Sequence, residues 1–476
     1  MRNDRNGPLS YAPAFAALLG ITFSLPAYSS GLSLPISALV SVLMASAWIF
    51  LGTSDPAEGW RTEFIFVVIL TAALSLSLNM RMAYEPAVPT TISSEGKVLL
   101  NREWGRRRAL LISVSYGKMT AYMSGFTAPA EGSGVKVRAA VFDFKRAEKG
   151  AGFDEYLYWK SKGAVKKIIP LELEVTSPPA GIHRWRNFLK AKIEGSLPDL
   201  MSGYMLALTL GIRDRYLTER HREAGTVHLL AVSGFHVGIL AAMAGLFLKR
   251  GRTKILAISV LIWSYLALAG FPPGGIRAGI MLQVYLLGLL LGRPSRSFNS
   301  VSVAGIIMLI WDPWTFYDMG WRLSMLAALS VCASAGAAGL NRAGALIGSA
   351  AVWLVTAPLI ASAFGEVPVV GLLINIAAIP LFSAIFPLVF LCSLPAFFGL
   401  PFSSEITSMC EYLLESWDII SGKLVELMPF GVVSTVPLAA FAAFVFFASA
   451  LYASGTPLKK IPLPAVMFSL LVLLSA

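Results

Sequence analysis

The sequence predicts a polytopic α-helical membrane protein carrying one small inserted β-barrel, OB-like or otherwise, as an extracytoplasmic domain. Three observations carry this expectation. Of 476 residues, 56% are hydrophobic and only 14% charged, whereas a soluble domain carries about a quarter charged residues; mean hydropathy is +0.68. Apolar runs of about membrane length, near 20 residues, recur along the chain. One stretch, 84–176, breaks the pattern with short alternating runs separated by charges.

The N-terminal segment, 1–83, holds three apolar runs at 11–28, 31–52 and 63–80. The first follows Arg2 and Arg5 in the manner of a secretory signal, but two further spans come close behind, so it reads as a retained helix. In 84–176, strands are expected at 97–104, 108–116, 135–142 and 165–175, with glycine-bearing turns between them. A linker region, 177–200, contains a helix over 182–196. There Trp185, Phe188, Leu189 and Ile193 recur at helical spacing among Arg184, Arg186, Lys190 and Lys192, the pattern of an interfacial helix lying on a membrane; a linker helix packed on the barrel is the alternative.

The remainder, 201–476, is a larger transmembrane domain. Its apolar runs fall at 201–212, 226–248, 255–270, 276–292, 300–316, 320–340, 344–364, 368–400, 433–453 and 461–476. The 368–400 run is too long for one span and carries Pro380, Pro387 and Pro395, so it reads as two crossings or broken helices. Residues 403–428 look amphipathic rather than spanning.

Charge sets the orientation. Lys249, Arg250, Arg252 and Lys254 crowd one loop, Arg293 and Arg296 another, and Lys459 and Lys460 a third. Positive loops stay in the cytoplasm, which puts the N-terminus inside and the β-domain outside. The net charge of +12 suits that rule and also suits anionic lipid or a polyanionic substrate. The β-domain itself carries fifteen Lys/Arg against ten Asp/Glu, a surplus the loop rule does not explain, because large domains escape it.

Several chemistries are excluded. The three cysteines, Cys332, Cys392 and Cys410, form no Cys-x-x-Cys, so neither a disulfide framework nor a cysteine zinc site is expected. No phosphate-binding Gly-x-x-x-x-Gly-Lys-Ser/Thr is present, so the chain has no ATPase of its own. No histidine follows His236, which removes the usual hydrolytic metal centre from the second half. No cofactor and no metal are expected.

Polar residues inside apolar segments mark function by default. Thr226-Val-His-Leu-Leu-Ala-Val-Ser-Gly-Phe-His-Val-Gly238 holds two of the four histidines. Read as one helix, its His228 and His236 stand about 12 Å apart and cannot share a metal, while Ser233, beside Gly234, is an i,i+3 neighbour of His236. Three uses stay open: a polar pore or packing motif, a gating or ion site, and a Ser233/His236 hydrolase. Asp214 sits where an apolar run meets water. Arg277 opens a span and either snorkels or turns inward, where it can grip a phosphate with two N–H groups. Asp312, Asp318, Arg322 and Ser324 form a second polar group and Asn375 with Pro380 a third.

These residues resemble the ComEC competence family, the DNA-uptake channel of natural transformation. The resemblance rests on Leu210-Gly-Ile-Arg-Asp214, Ala224-Gly-Thr-Val-His-Leu-Leu-Ala-Val-Ser-Gly-Phe-His-Val237, Gly275-Ile-Arg-Ala278, Leu291-Gly-Arg293, Asp312-Pro313, Gly320-Trp-Arg-Leu-Ser324, and Phe364-Gly365 with Asn375 and Pro380, in that order. Gly152-Phe-Asp-Glu-Tyr-Leu157 resembles a segment of the family's OB-like domain. The resemblance implies a bacterial inner-membrane channel passing single-stranded DNA into the cytoplasm. Asp214, His228, Ser233, Gly234, His236, Arg277, Arg322, Ser324 and Asn375 would line its path. It also implies an OB-like domain receiving the strand on aromatic and basic side chains: Trp104, Arg106, Arg107, Arg108, Tyr116, Lys118, Tyr122, Lys160, Lys166 and Lys167. Partners would be single-stranded DNA, membrane lipids, a periplasmic DNA receptor, a separate nuclease and a cytoplasmic ATP-driven motor. Many members carry a metallo-β-lactamase-like nuclease domain whose histidine motif is missing here, so an enzyme is not expected. Arg322 stands where the family often has glutamine. The alternatives to a channel are the Ser233/His236 intramembrane hydrolase and a small-solute transporter.

Overall fold

The computed structural model describes residues 13–52, 60–124, 128–147, 153–247, 251–292, 297–338, 342–453 and 461–475. Arg2, Arg5, Lys249, Arg250, Arg293, Arg296, Lys459, Lys460 and Gly152, used above for orientation and resemblance, lie outside them. The chain divides into two compact units. One comprises Met1–Asn79, Ile193–Trp311 and Gly320–Ala476; the other comprises Met80–Lys192 and Asp312–Met319.

The chain opens on helices α1 (Pro13–Ser29), α2 (Leu34–Gly52) and α3 (Trp60–Ala83). They converge at Gly20, where a Cβ would fall 2.5 Å from the Ser41 carbonyl oxygen and 2.8 Å from the Thr71 methyl. Only glycine lets the α1 backbone approach the α2 backbone and the Thr71 side chain that closely.

The second unit is a closed five-stranded barrel. β1 (Thr91–Trp104), β2 (Arg107–Val114), β3 (Gly117–Met123), β4 (Gly134–Phe142) and β5 (Ala164–Ser177) are hydrogen-bonded in the order β1-β2-β3-β5-β4. Every pairing is antiparallel except β3 with β5. The sequence pattern lacked β3: a two-residue turn at Ser115 and Tyr116 runs β2 into it without the usual polar break, so 108–116 looked like one strand. Both faces of β2 are buried. Leu110 and Ile112 point into the barrel with Val98, Met119, Val137 and Ile168. Ala109 and Leu111 point out under Trp159 and Phe144. Trp159 lies on α4 (Glu155–Ser161), which Asp154 caps by accepting the Leu157 N–H at 3.1 Å.

Helix α5 (Ile182–Ser196) forms as expected but divides its apolar residues differently. Ile193 turns inward with Arg186, while Trp185 and Phe188 point outward. Glu131 draws Arg186 in, with 3.9 Å between the charged atoms.

The remaining helices are α6 (Asp199–Leu210), α7 (Arg215–Glu223), α8 (Gly234–Phe247), α9 (Arg252–Leu268), α10 (Pro273–Leu290), α11 (Ser297–Trp311), α12 (Met319–Ala338), α13 (Arg342–Phe364), α14 (Val370–Phe397), α15 (Ser403–Leu427), α16 (Val436–Ala453) and α17 (Pro462–Ser475). Two expectations are corrected. The run 226–248 is not one helix: a 3-10 turn at Val227–Leu229 precedes α8, because Gly225 adopts φ +69 and Ser233 starts a new helix. The run 368–400 is one continuous helix, α14, despite Pro380, Pro387 and Pro395. Their spacing of seven and eight residues keeps the lost N–H groups on one side, so the other side stays intact. α14 and α15 form a hairpin, closed at its open end by β6 (Glu366–Pro368) pairing antiparallel with β7 (Gly431–Val433).

Among the described residues, four helical segments are long and apolar enough to cross a membrane: Phe64–Ala83, Pro273–Leu290, Ile347–Phe364 and Val370–Phe397. α1, α8 and the apolar parts of α2, α11 and α16 are similarly apolar but shorter.

Candidate functional site

The helical unit builds its polar site around the broken segment between α7 and α8. Asp214 is the cap of α7, accepting the Leu217 N–H at 2.9 Å, and is exposed. His221, near the end of α7, is held on both nitrogens: Tyr204 Oη lies 2.7 Å from Nε2 and Thr226 Oγ1 lies 2.7 Å from Nδ1. Thr226 also donates to the His221 carbonyl at 3.4 Å, so its oxygen accepts from Nδ1–H and Nε2 accepts from Tyr204. Burial holds the His221 imidazole at about 4, and it is neutral at pH 7. No local signal distinguishes His221 from its charged neighbours Arg220, Arg222 and Glu223.

The backbone then crosses α14. A Cβ on Gly225 would fall 2.8 Å from Gly371 Cα, and Asn375 Nδ2 donates to the Gly225 carbonyl at 3.4 Å, while its Oδ1 is buried without a partner. His228, in the 3-10 turn that follows, is exposed.

Ser233 caps α8 through His236. The Ser233 N–H donates to His236 Nδ1 at 3.2 Å, and the Ser233 hydroxyl lies 3.1 Å from the same nitrogen. A ring nitrogen that accepts a backbone N–H carries no proton, so the neutral imidazole holds its hydrogen on Nε2. That Nε2 is buried with no partner, and the ring stacks on Phe386 of α14 at 4.9 Å.

α10 closes the other side. Gly274 packs on the Val232 carbonyl and the Ser324 hydroxyl, and Gly234 faces Ala278. Between them on α10 lies Arg277, 6% exposed, whose Nε and Nη1 have no hydrogen-bond partner. Buried donors of this kind cost stability unless an acceptor reaches them. The junction thus gathers Ser233, Gly234, Arg277 and Ser324, with His236 stacked on α14 and Asn375 reaching from α14 to the Gly225 carbonyl. Arg322, half-buried, is two residues from Ser324 on α12 and points about 200° away from it around the helix.

Two clamps hold the junction. Arg220 of α7 grips Asp418 of α15 with Nε at 3.1 Å and Nη2 at 3.0 Å from its two carboxylate oxygens. Glu411 accepts the Leu200 and Met201 N–H groups at the start of α6, at 2.9 and 2.7 Å. Neither pair was foreseen, since partners some 200 residues apart leave no trace in local spacing.

In the barrel unit the ten basic and aromatic candidates separate. Trp104 packs against Tyr122, Phe153, Tyr158 and Trp159 with centroids 5.3–5.8 Å away. Tyr122 accepts the Trp159 indole N–H and donates to Glu155, both at 2.7 Å; burial raises its pKa. Lys160 is buried and paired with Glu85 at 3.3 Å. Lys166 pairs with Asp143 and Glu85, and Lys167 with Glu155. Arg108 donates to the Asn101 side chain. The charges already matched by carboxylates, and the rings already stacked, have less to offer a strand. Arg106, Arg107, Tyr116 and Lys118 are exposed, but they sit at opposite ends of β2, roughly 24 Å apart at strand rise. Asp312 and Asp318 belong to this unit, not to the junction: Asp318 pairs with Lys162, and Trp314 packs edge-on against Tyr156 at 5.7 Å. Burial raises the Asp312 carboxyl. Among the described residues no group of three or more His, Cys, Asp or Glu is arranged to hold a metal.

Comparison with known proteins puts this geometry in context. The family described as Competence protein matches residues 208–458, which contains the whole junction. ComE operon protein 3 of Bacillus subtilis (strain 168) is 35% identical over 147 residues, 29% of this chain and 19% of that protein. Competence protein ComA of Neisseria gonorrhoeae is 29% identical over 257 residues, 49% of this chain and 37% of that protein. An uncharacterized protein of Aquifex aeolicus (strain VF5) is 30% identical over 292 residues, covering 59% of this chain and 68% of its own length. No solved structure matches.

Proposed function

The chain belongs to the competence-protein family, and from that premise we propose that it serves DNA uptake in natural transformation, passing single-stranded DNA across the bacterial inner membrane. The observation that carries this reading is Arg277: a guanidinium 6% exposed, with Nε and Nη1 unpartnered, at the junction of α8, α10 and α12. Aligned N–H groups of arginine match phosphate oxygens. The Nε2–H of His236 and the accessible His228 ring extend a donor-rich wall. Conduction of a polyanion needs sites that are cationic but shallow; one arginine aided by neutral donors fits that better than a cluster of cations.

In this reading the barrel unit stands outside the membrane and receives the strand. Its closed order β1-β2-β3-β5-β4 is what an OB-like barrel requires, and such barrels hold single strands on stacked rings and basic grooves. Arg106, Arg107, Tyr116 and Lys118 are the candidates that remain exposed. The spans 201–476 form the channel and 1–83 the N-terminal helices, with the N-terminus in the cytoplasm. A periplasmic DNA receptor, a separate nuclease and a cytoplasmic ATP-driven motor complete the system.

The test is entry of labelled DNA into the cytoplasm in a deletion strain carrying wild type, Arg277→Ala or Arg277→Lys. Surface binding retained with entry lost for Arg277→Ala supports the reading; normal entry in the deletion strain itself removes it.

One contact favours a second reading, an intramembrane hydrolase: the Ser233 hydroxyl is 3.1 Å from His236 Nδ1. The same nitrogen takes the Ser233 N–H at 3.2 Å, which occupies the lone pair a general base would use. Unchanged DNA entry in Ser233→Ala, together with no labelling by a serine-reactive probe, ends that reading.

A further inference from the structure

Helix α5 has two faces of different chemistry. Its inner face is fastened to the barrel unit: Arg186, 8% exposed, approaches Glu131, and His183 sits over Gly132, where a Cβ would fall 2.3 Å from His183 Cβ. Gly132 has φ +87, so both space and backbone conformation require glycine there. The outer face is apolar and open. Trp185 is 63% and Phe188 59% exposed, and their rings meet edge-to-face at 6.2 Å. Ile182 adjoins them, and the exposed Arg184 and Lys192 flank them. Helical periodicity sets Lys192 one turn beyond Phe188 and two beyond Trp185, on the same arc. Three residues after α5 ends at Ser196, the chain enters α6, whose residues are mostly buried and apolar.

We propose that this outer arc seats the barrel unit on a bilayer surface bearing anionic headgroups. Tryptophan and phenylalanine settle at the headgroup level, where one part of the ring is apolar and the surroundings are wet. Arg184 and Lys192 meet lipid phosphates, each adding about fivefold to binding. The basic flank supplies the charge match. Arg186 and His183 hold the opposite face, so α5 is a strut with one protein side and one lipid side. This proposal makes no use of Arg277 or of DNA passage.

The experiment installs the photo-crosslinker p-benzoylphenylalanine in place of Trp185, Phe188 or Asn187 in the full chain. Asn187 is exposed but points about 200° from Trp185. Each protein is placed in nanodiscs containing phosphatidylglycerol, with single-stranded DNA in solution. Lipid adducts at 185 and 188 but not at 187 are expected, falling about fivefold or more in discs of neutral lipid. Adducts to DNA or to a second copy of the chain instead of lipid, equal lipid labelling at 187, or the same yield in neutral discs would each overturn the proposal. Replacement at three exposed positions, ring for ring at 185 and 188, leaves the inner face intact, so failure to fold is not expected to mask the result.

Discussion

Replacing Arg277 by methionine separates a structural arginine from a functional one, because the two predict opposite signs of stability change. The guanidinium is 6% exposed and two of its nitrogens, Nε and Nη1, lack partners. Each buried, unsatisfied donor costs about 1–3 kcal/mol. Methionine keeps much of the aliphatic stem and removes both donors, at the expense of a small void where the fork was. The net expectation is that Arg277→Met stabilises the ligand-free protein by about 1–3 kcal/mol. Uptake should move the other way. Losing a desolvated charge-assisted contact to phosphate costs about 2–5 kcal/mol, which at about 1.4 kcal/mol per decade is roughly 30-fold or more. Arg277→Lys keeps the charge without the fork and should fall between. The assays are thermal unfolding of the purified chain in detergent and labelled-DNA entry in the complemented deletion strain. An Arg277→Met protein that melts lower than wild type and still takes up DNA normally would refute the reasoning and make Arg277 a packing residue.

Three further outcomes follow from the geometry. Neutralising Arg106, Arg107 and Lys118 together should lower the salt slope of single-stranded DNA binding by about 2, from about 0.7 per phosphate contact; an unchanged slope would exclude them as backbone contacts. Arg220 and Asp418, about a third and a quarter exposed, should couple by about 1 kcal/mol in a double-mutant cycle of Arg220→Ala and Asp418→Ala, and additivity would reduce the clamp to a crystal-like surface pair. His221 titrates at about 4 in the folded chain and near 6.5 when unfolded, so the unfolded state takes up the proton first. Stability is therefore complete above about pH 6.5 and declines as pH falls toward 4, by up to roughly 3 kcal/mol; His221→Gln should flatten that window in melting curves, and identical pH profiles would contradict the assignment.

Much was legible in the sequence because it is local. Hydropathy gave the apolar runs, the change of texture after Tyr84 gave a β-module, and the ordered motifs around Arg277 and Thr226-Val-His gave the family resemblance. These signals repeat at periods of 2 or 3.6 residues or sit within one short segment, so no tertiary information is needed to see them. Strand β3 escaped because its turn at Ser115 and Tyr116 has no polar break. The break before α8 escaped because the residues of 226–233 are apolar enough to pass for helix; what decides there is Gly225 pressed against Gly371 and Ser233 taking His236 as its cap.

What only tertiary structure decided is which polar groups have partners. Lys160, Lys166, Lys167 and Tyr122 read as free cations and a stacking ring until folding brings Glu85, Asp143 and Glu155 to them. His221, set among Arg220, Arg222 and Glu223, carries no sequence sign of burial, yet Tyr204 and Thr226 close on it. Arg277 reads as either snorkelling or inward-turned, and the fold buries it. Composition fixes what a side chain can donate or accept, but burial and pairing depend on residues tens to hundreds of positions away. Free energy at a site follows from whether each donor is met, and that is a property of the fold rather than of the residue.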